Sequence, residues 1–137
     1  VNLKTRFGKT PLLLVAGTNH LKAADLLFAK KSDLEANSDH GGNSAHEAIF
    51  WQQPEMLDHL LKGGVDVNGR ANNKTTPLHW AVTFMNPYNP TKNKVMQECI
   101  KVLLAHKADT SLKGGNGKTA AQIAEEKGFE DIAKLLK

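Results

Sequence analysis

Apolar residues recur along this chain in short groups spaced three or four positions apart, which is the spacing of one face of an α-helix. The groups come in pairs, with a polar break between the two members of each pair. The first members contain Leu12 and Ala16, Ala45 and Ile49, Leu78 and Val82, and Ala121 and Ala124. The second members contain Ala24 and Leu27, Leu57 and Leu60, Ile100 and Leu103, and Ile132 and Leu136. The pattern predicts an all-α fold built from four helix pairs.

The four pairs are copies of one unit. Thr10, Asn43 and Thr76 each precede the first helix of a pair, and they follow one another at intervals of 33 residues. Thr119 follows Thr76 after 43 residues, which is one further interval plus about ten inserted residues. A period of this size is typical of stacked arrays, in which no unit buries its apolar face alone. The predicted single domain covers residues 1–137, with units at about 8–37, 41–70, 74–112 and 117–137.

Helix-start signals follow the turn that opens a unit. Thr10 is an N-cap candidate, because its hydroxyl can accept a hydrogen bond from a free N–H group of the first helical turn. Pro11 comes next, at the first helical position, where a missing N–H costs nothing. In the third unit the two helices are separated by an insertion at about 85–94, whose two prolines and three asparagines exclude an uninterrupted helix. We expect this insertion to form a loop.

Two segments closely resemble the ankyrin repeat. Residues 76–81 read Thr-Pro-Leu-His-Trp-Ala, which matches the Thr-Pro-Leu-His-x-Ala signature of that family, and residues 60–68 match its closing segment. The resemblance covers essentially the whole chain. It implies a solenoid of stacked helix-turn-helix units with protruding β-turn or hairpin tips. It also implies that the signature histidines, His46 and His79, form hydrogen bonds to the backbone between neighbouring turns.

Departures from the family pattern are local. Leu13 and Gln122 replace the signature histidine in units one and four, and residues 43–45 read Asn-Ser-Ala, which predicts a less sharply started helix in unit two. The last unit is rich in lysine and glutamate, as expected of a solvated terminal cap. Residues 1–2 align with the closing segments of later units and are interpreted as the tail of a preceding repeat. We expect Leu13 and Leu14 to face an absent neighbour, and the chain to be the C-terminal part of a longer array.

Composition and charge narrow the classes of function. The net charge of +4 is too small to imply a nucleic-acid partner. No apolar run approaches the roughly 18 residues that cross a bilayer, so no membrane insertion is expected. The single cysteine, Cys99, excludes an internal disulfide framework and favours a reducing compartment. We therefore expect a monomer inside the cell, either cytoplasmic or nuclear.

Motifs for catalysis or cofactor binding are weak. Gly-Lys-Thr triplets occur at 8–10 and 117–119, but the earlier glycine of a phosphate-binding loop is replaced by Leu3 and Leu112. The six histidines lack metal-ligand spacing. Cys99 falls in an apolar helix position, which is typical of an inert buried thiol. No enzyme activity, cofactor or metal is expected.

In the ankyrin family the first helices and the turn tips line a concave groove, so the resemblance implies which residues face a partner. In unit two these are Glu47, Phe50 and Trp51, and in unit three they are Trp80, Thr83 and Phe84. Units one and four supply Leu14, Gly17, Thr18, Ile123, Glu126 and Lys127. Exposed aromatic residues in a concave patch are typical anchors for a partner. Trp80 and Leu14 also suit simple packing between units.

Charge at the turn tips bears on the partner. Arg70 and Lys74 are among several basic tip residues beside the expected groove. An acidic, partly apolar peptide is therefore the expected partner, and an ordinary solvated surface is the alternative explanation of these charges. Tyr88, in the insertion, is included among the expected partner contacts.

Three functions fit these residues. The first is a non-catalytic scaffold module that binds a partner protein or peptide. The second is a reader of methylated lysine, in which Trp51, Trp80 and Phe84 form an aromatic cage and Glu47 supplies a carboxylate. The third is the targeting or regulatory arm of a larger enzyme or channel.

Overall fold

The computed structural model describes residues 2–6, 8–39 and 41–137. This part of the chain forms eight α-helices, joined in pairs by short loops, and one short 3-10 helix at Asn72–Lys74. The first helices of the pairs are α1 (Pro11–Ala16), α3 (Ser44–Phe50), α5 (Pro77–Thr83) and α7 (Ala120–Glu126). The second helices are α2 (Leu21–Ala29), α4 (Pro54–Lys62), α6 (Pro90–Ala105) and α8 (Glu130–Leu136). The predicted all-α repeat solenoid is confirmed.

The helices form two layers. In the inner layer α3 packs against α1 and α5, and α5 packs against α7. In the outer layer α4 packs against α2 and α6. The core lies between the layers, where Leu12, Ile49, Leu60, Leu78 and Leu103 are almost fully buried. Each unit thus buries its apolar face against the next one.

An N-cap side chain starts each inner helix. The Thr10, Thr76 and Thr119 hydroxyls each accept the N–H of the residue three positions further on. In unit two the Asn43 Oδ1 accepts two N–H groups, from Ala45 at 3.0 Å and from His46 at 3.2 Å. The expectation of a less sharply started helix in unit two is therefore wrong, since asparagine is as good a cap as threonine.

The turn tips are tight turns closed by backbone hydrogen bonds, such as Thr5 N–H to Lys9 O at 2.8 Å. Among the described residues none forms a strand. Three tips place a glycine in the left-handed region, with φ of 74° at Gly8, 84° at Gly41 and 77° at Gly117. In the third unit the equivalent residue is Lys74, with φ of 57°. The third tip therefore holds a lysine in a conformation that favours glycine.

Side chains from one unit bond to the next on both layers. On the inner side His46 Nε2 donates to the Thr75 carbonyl at 3.1 Å, and His79 Nε2 donates to the Lys118 carbonyl at 3.0 Å. The hydrogen bonds implied by the family resemblance are therefore confirmed. On the outer side the imidazoles of His59 and His106 contact carboxylates of the preceding unit, on Asp25 at 2.6 Å and on Asp58 at 2.8 Å.

Leu13 is buried, with 1% of its surface exposed, so the expectation that it faces an absent neighbour is wrong. It occupies the position that His46 and His79 occupy in their units, and that position faces the following unit. Leu14 is 48% exposed.

The insertion is only partly a loop. Residues 84–89 connect α5 to α6, and α6 already begins at Pro90, with the Asn89 side chain capping it through the Lys92 N–H at 3.0 Å. The prediction of a loop as far as residue 94 is therefore wrong for its second half. Asn86 and Asn93 clasp the loop, because the Asn93 side chain accepts the Asn86 N–H and donates to the Asn86 carbonyl, both at 2.7 Å. The clasp fixes the first turn of α6 against the end of α5.

Candidate functional site

Four aromatic rings meet on the inner layer, where unit two packs on unit three. The ring centroids of Phe50 and Trp51 are 5.1 Å apart, those of Phe50 and Phe84 are 5.7 Å apart, and those of Trp80 and Phe84 are 5.6 Å apart. All three contacts are edge-to-face, the arrangement that the ring quadrupoles prefer. The structure therefore brings together four of the residues that the sequence predicted as groove contacts.

The ends of two inner helices position these rings. Phe50 is the last residue of α3 and Trp51 follows it, while Phe84 directly follows α5. Trp80, within α5, donates its Nε1–H to the Thr75 hydroxyl at 3.0 Å. Trp51 lies across Gly17 of unit one, where a β-carbon would stand 2.7 Å from the ring. The absence of a side chain at Gly17 thus makes room for the Trp51 ring.

The rings enclose an open pocket of about 390 Å³, which we call the aromatic pocket. Lys9 and Glu47 complete its lining beside the four aromatic residues. Phe50 and Trp51 are each about half exposed, at 50% and 51%. A pocket of this size with mainly apolar walls can hold one large side chain of a partner.

An ion pair neutralises Glu47, the one acidic residue among the described residues that line the aromatic pocket. Lys9 Nζ lies 2.9 Å from Glu47 Oε2, and Glu47 is only 6% exposed. The two residues belong to units one and two, so the pair also joins the units. A cationic ligand would have to compete with the Lys9 ammonium for this carboxylate.

A second hollow, of about 380 Å³, adjoins the first and shares the Phe84 ring with it. We call it the basic hollow, and its lining comprises Thr83, Phe84, Met85, Asn86, Pro87, Lys92 and Lys127. Lys92 Nζ lies 5.4 Å from the centroid of the Phe84 ring, and the Lys127 ammonium donates to the Thr83 carbonyl. Burial, together with the nearby Lys92 charge, lowers the pKa of Lys127. None of the described residues that line this hollow is acidic.

Other residues predicted as partner contacts lie outside the aromatic pocket. Tyr88 is 93% exposed on the insertion loop. Arg70 Nη1 donates to the carbonyls of Lys74 and Lys113, so the guanidinium joins the third and fourth turn tips. Thr83 lies in the basic hollow. The proposed partner contacts of Tyr88, Arg70 and Lys74 stay predictions.

Two lysines of the site were not predicted as contacts from the sequence. In the sequence Lys9 is only one of several basic residues at the turn tips, and Lys92 is only part of the insertion. The sequence signal for Lys92 was present, because Asn89 followed by Pro90 is a common helix start and places Lys92 in the first turn of α6. No comparable signal pointed to Lys9, whose partner is 38 positions away.

Metal-ligand clusters, the single cysteine and the lengths of the helices bear on other classes of function. Among the described residues no group of three or more His, Cys, Asp or Glu side chains is placed to hold a metal ion. Cys99 is buried, and this burial raises the pKa of its thiol to about 12. No helix among the described residues is both long enough and apolar enough to cross a bilayer.

Comparison with known proteins identifies the repeats. The family profile described as "Ankyrin repeats (3 copies)" matches residues 1–71, and the profile "Ankyrin repeat" matches residues 73–114. The "Ankyrin repeat and SAM domain-containing protein 6" of Mus musculus is 32% identical over 103 residues, which cover 74% of this chain and 12% of the relative.

Two further relatives show the range of proteins that carry similar sequence. The human "Transient receptor potential cation channel subfamily A member 1" is 40% identical over 92 residues, covering 66% of this chain and 7% of the channel. The "NF-kappa-B inhibitor delta" of Mus musculus is 26% identical over 149 residues, covering 99% of this chain and 46% of the relative. The chain thus spans less than half the length of each of these relatives. On the period, the helix pairs, the histidine bonds and the profile matches together, the chain belongs to the ankyrin-repeat family.

Proposed function

We propose that this chain is a non-catalytic interaction module that holds a segment of a partner protein in the aromatic pocket. Ankyrin repeats generally mediate protein–protein interaction. The observation that supports this site is the half-exposed pair Phe50 and Trp51, which lies in a pocket with two further rings. A few buried aromatic anchors commonly provide most of the binding free energy of an interface.

The pocket walls are held in place without the partner. Trp80 is fixed by its bond to Thr75, and Phe84 packs edge-on against both Trp80 and Phe50. Little ordering of the pocket is then required when a side chain enters it. A preformed site loses less conformational entropy on binding than a flexible one does.

Truncation of Trp51 tests the proposal. Proximity labelling in cells is carried out with the wild-type chain and with the Trp51→Ala and Leu26→Ala variants. Trp51→Ala removes a wall of the pocket. Leu26→Ala is the control, because it removes a residue that is 65% exposed on the outer helix α2. We expect partners to be lost with Trp51→Ala and retained with Leu26→Ala, with a weakening of about 2 kcal/mol for a purified partner.

Unfolding midpoints of the purified variants should agree with that of the wild type, since Trp51 is half exposed. The same partners recovered with all three chains would refute the proposal. Unfolding of the Trp51→Ala variant would show instead that the rings are core.

A second proposal is that this module serves as the targeting or regulatory arm of a larger channel or enzyme. Matches to two channels favour it: the similar segment covers 7% of the length of the human cation channel and 9% of the length of the "Potassium channel AKT1" of Oryza sativa subsp. indica. The full-length protein would then fractionate with membranes, or copurify with an enzyme activity that the isolated repeats lack.

The methyl-lysine hypothesis has less support from the site. Its carboxylate, Glu47, is already paired with Lys9. Titration with matched trimethylated and unmodified lysine peptides decides this point, and a strong preference for the trimethylated peptide would favour the reader function.

A further inference from the structure

The insertion in unit three changes the character of the groove. Without the insertion, we expect α6 to begin at the same position of its unit as α2 and α4 do, directly after a short loop. The added first turn of α6 instead places the Lys92 ammonium over the Phe84 ring, 5.4 Å from its centroid. The Asn86–Asn93 clasp and the Asn89 cap hold that turn in place. A helical extension held by three specific hydrogen bonds thus places a positive charge beside the aromatic pocket.

The positive charge of Lys92 is not balanced by a carboxylate among the described residues of the basic hollow. Lys92 and Lys127 both line the basic hollow, and none of the described residues in that lining is acidic. The nearest acidic residue along α7, Glu126, pairs with Lys118 at 2.5 Å. Two ammonium groups in one concave site repel each other, and an anion placed between them relieves that repulsion.

The aromatic pocket has the opposite character. Glu47, the one acidic residue in its described lining, is paired with Lys9, which leaves a nearly neutral apolar cavity. Phe84 belongs to both linings, so the apolar and the positive parts are adjacent. The two contacts of the Phe84 ring limit the distance from the Lys92 ammonium to the Phe50 ring to about 11 Å. At roughly 3.3 Å for each extended residue, this distance corresponds to about two to four positions of a peptide.

We propose that the groove recognises a two-part peptide, with a bulky apolar side chain in the aromatic pocket and an acidic residue about two to four positions away that contacts Lys92 and Lys127. This inference rests on the proposed function, because it names the chemistry of the segment that the pocket holds. The acidic residue of the peptide is then bound by the insertion and not by the turn tips, where Arg70 already donates to two backbone carbonyls.

The test starts from a displayed library of random 12-residue peptides, selected on the wild-type chain. Synthetic copies of the enriched peptides are then titrated by tryptophan fluorescence. The chain has two tryptophans, and both Trp51 and Trp80 line the aromatic pocket, so the emission reports occupancy directly. We expect enriched peptides to carry a large apolar residue and an acidic residue at the stated spacing.

Matched substitutions locate the acid contact. Replacing the acidic residue of the peptide by its amide should weaken binding about threefold to tenfold. Lys92→Gln should weaken the acidic peptide by a similar factor and leave the amide peptide unchanged. Lys127→Gln repeats the test at the second ammonium. Lys101→Gln is the matched control, because Lys101 is exposed on the same helix but on the face opposite to Lys92.

The outcomes separate the two proposals. Peptides that depend on Trp51 but show neither the acid preference nor the effect of Lys92→Gln would refute the two-part recognition and leave the pocket as the binding site. Peptides whose binding is unaffected by Trp51→Ala would refute the proposed pocket itself. Failure to enrich any peptide above an unrelated control protein counts against both.

Discussion

His46 and His79 lie buried in the contacts between units, and the hydrogen bonds of both rings fit the neutral form. Burial lowers the pKa of His46 to about 4. The bond to the Thr75 carbonyl opposes this shift, and the neighbouring His79 acts in the same direction as burial. Burial also lowers the pKa of His79. In each ring Nε2 donates to the next unit and Nδ1 accepts the N–H of the N-cap residue. A second proton, on Nδ1, would break that N-cap bond.

We expect the free energy of unfolding to fall as the pH drops from 6.5 to about 4. In this window the unfolded chain binds a proton at His46 that the folded chain does not, so the stabilisation is complete above pH 6.5 and is lost below it. For His46 alone the loss approaches about 3 kcal/mol at the lower end. Urea unfolding at several pH values measures it.

The variant His46→Gln should reduce this pH dependence. Glutamine is compatible with the position, because Gln122 occupies it in unit four and accepts the Thr119 N–H at 2.9 Å. His20→Gln, which removes an exposed histidine, is the control and should leave the dependence unchanged. Identical pH profiles for His46→Gln and wild type would contradict the assignment.

Lys74 adopts a left-handed backbone conformation that three other tips give to glycine. We expect Lys74→Gly to raise the free energy of unfolding by about 0.5–1 kcal/mol, because relief of the steric cost exceeds the added freedom of the unfolded chain. Chemical denaturation measures the change.

The reverse substitution, Gly117→Lys, is a matched control. A β-carbon at Gly117 would meet no heavy atom within 4 Å, so only backbone strain is added there. It should lower stability by a similar amount. Stabilisation by Gly117→Lys would show that the glycine conformations at the tips carry no cost for other residues.

Along the helices, burial and capping contribute different amounts. Leu103, in α6, is fully buried, so Leu103→Ala should lower the free energy of unfolding by about 2–5 kcal/mol. Thr76 caps α5, and Thr76→Ala should cost about 1 kcal/mol. Denaturation of both variants tests the order. A smaller effect at Leu103 than at Thr76 would mean that the outer layer contributes little to the core.

The sequence correctly predicted which residues of a helix face the core. Errors arose where the same residues are compatible with two different local structures. Leu78 and Leu103 were assigned to the core because helical spacing and burial go together over a few residues. Asn89 and Pro90 were interpreted as helix breakers, but at a helix start the same residues act as the cap and the first position. The length of α6, and with it the position of Lys92, could not be predicted under that interpretation.

Contacts between units were harder to predict than the units themselves. The period predicted the stacking of repeats, and the Phe84 ring contacts Phe50 and Trp80 at groove positions of two neighbouring units. The Lys9–Glu47 pair depends on the offset between neighbouring units, which a pattern within one unit does not encode. The charge balance of the pocket therefore became visible only in the folded array.

The histidine bonds also give the groove a response to acid. At the contact of units two and three, His46 bonds to the turn side and meets the Trp80 ring at 4.8 Å, while His106 pairs with Asp58 on the outer side. The folded imidazole of His46 takes up a proton only near pH 4, and that proton opposes the buried bond. The Trp80 ring that rests against this imidazole is a wall of the aromatic pocket, so the pocket is built on a histidine that must stay uncharged.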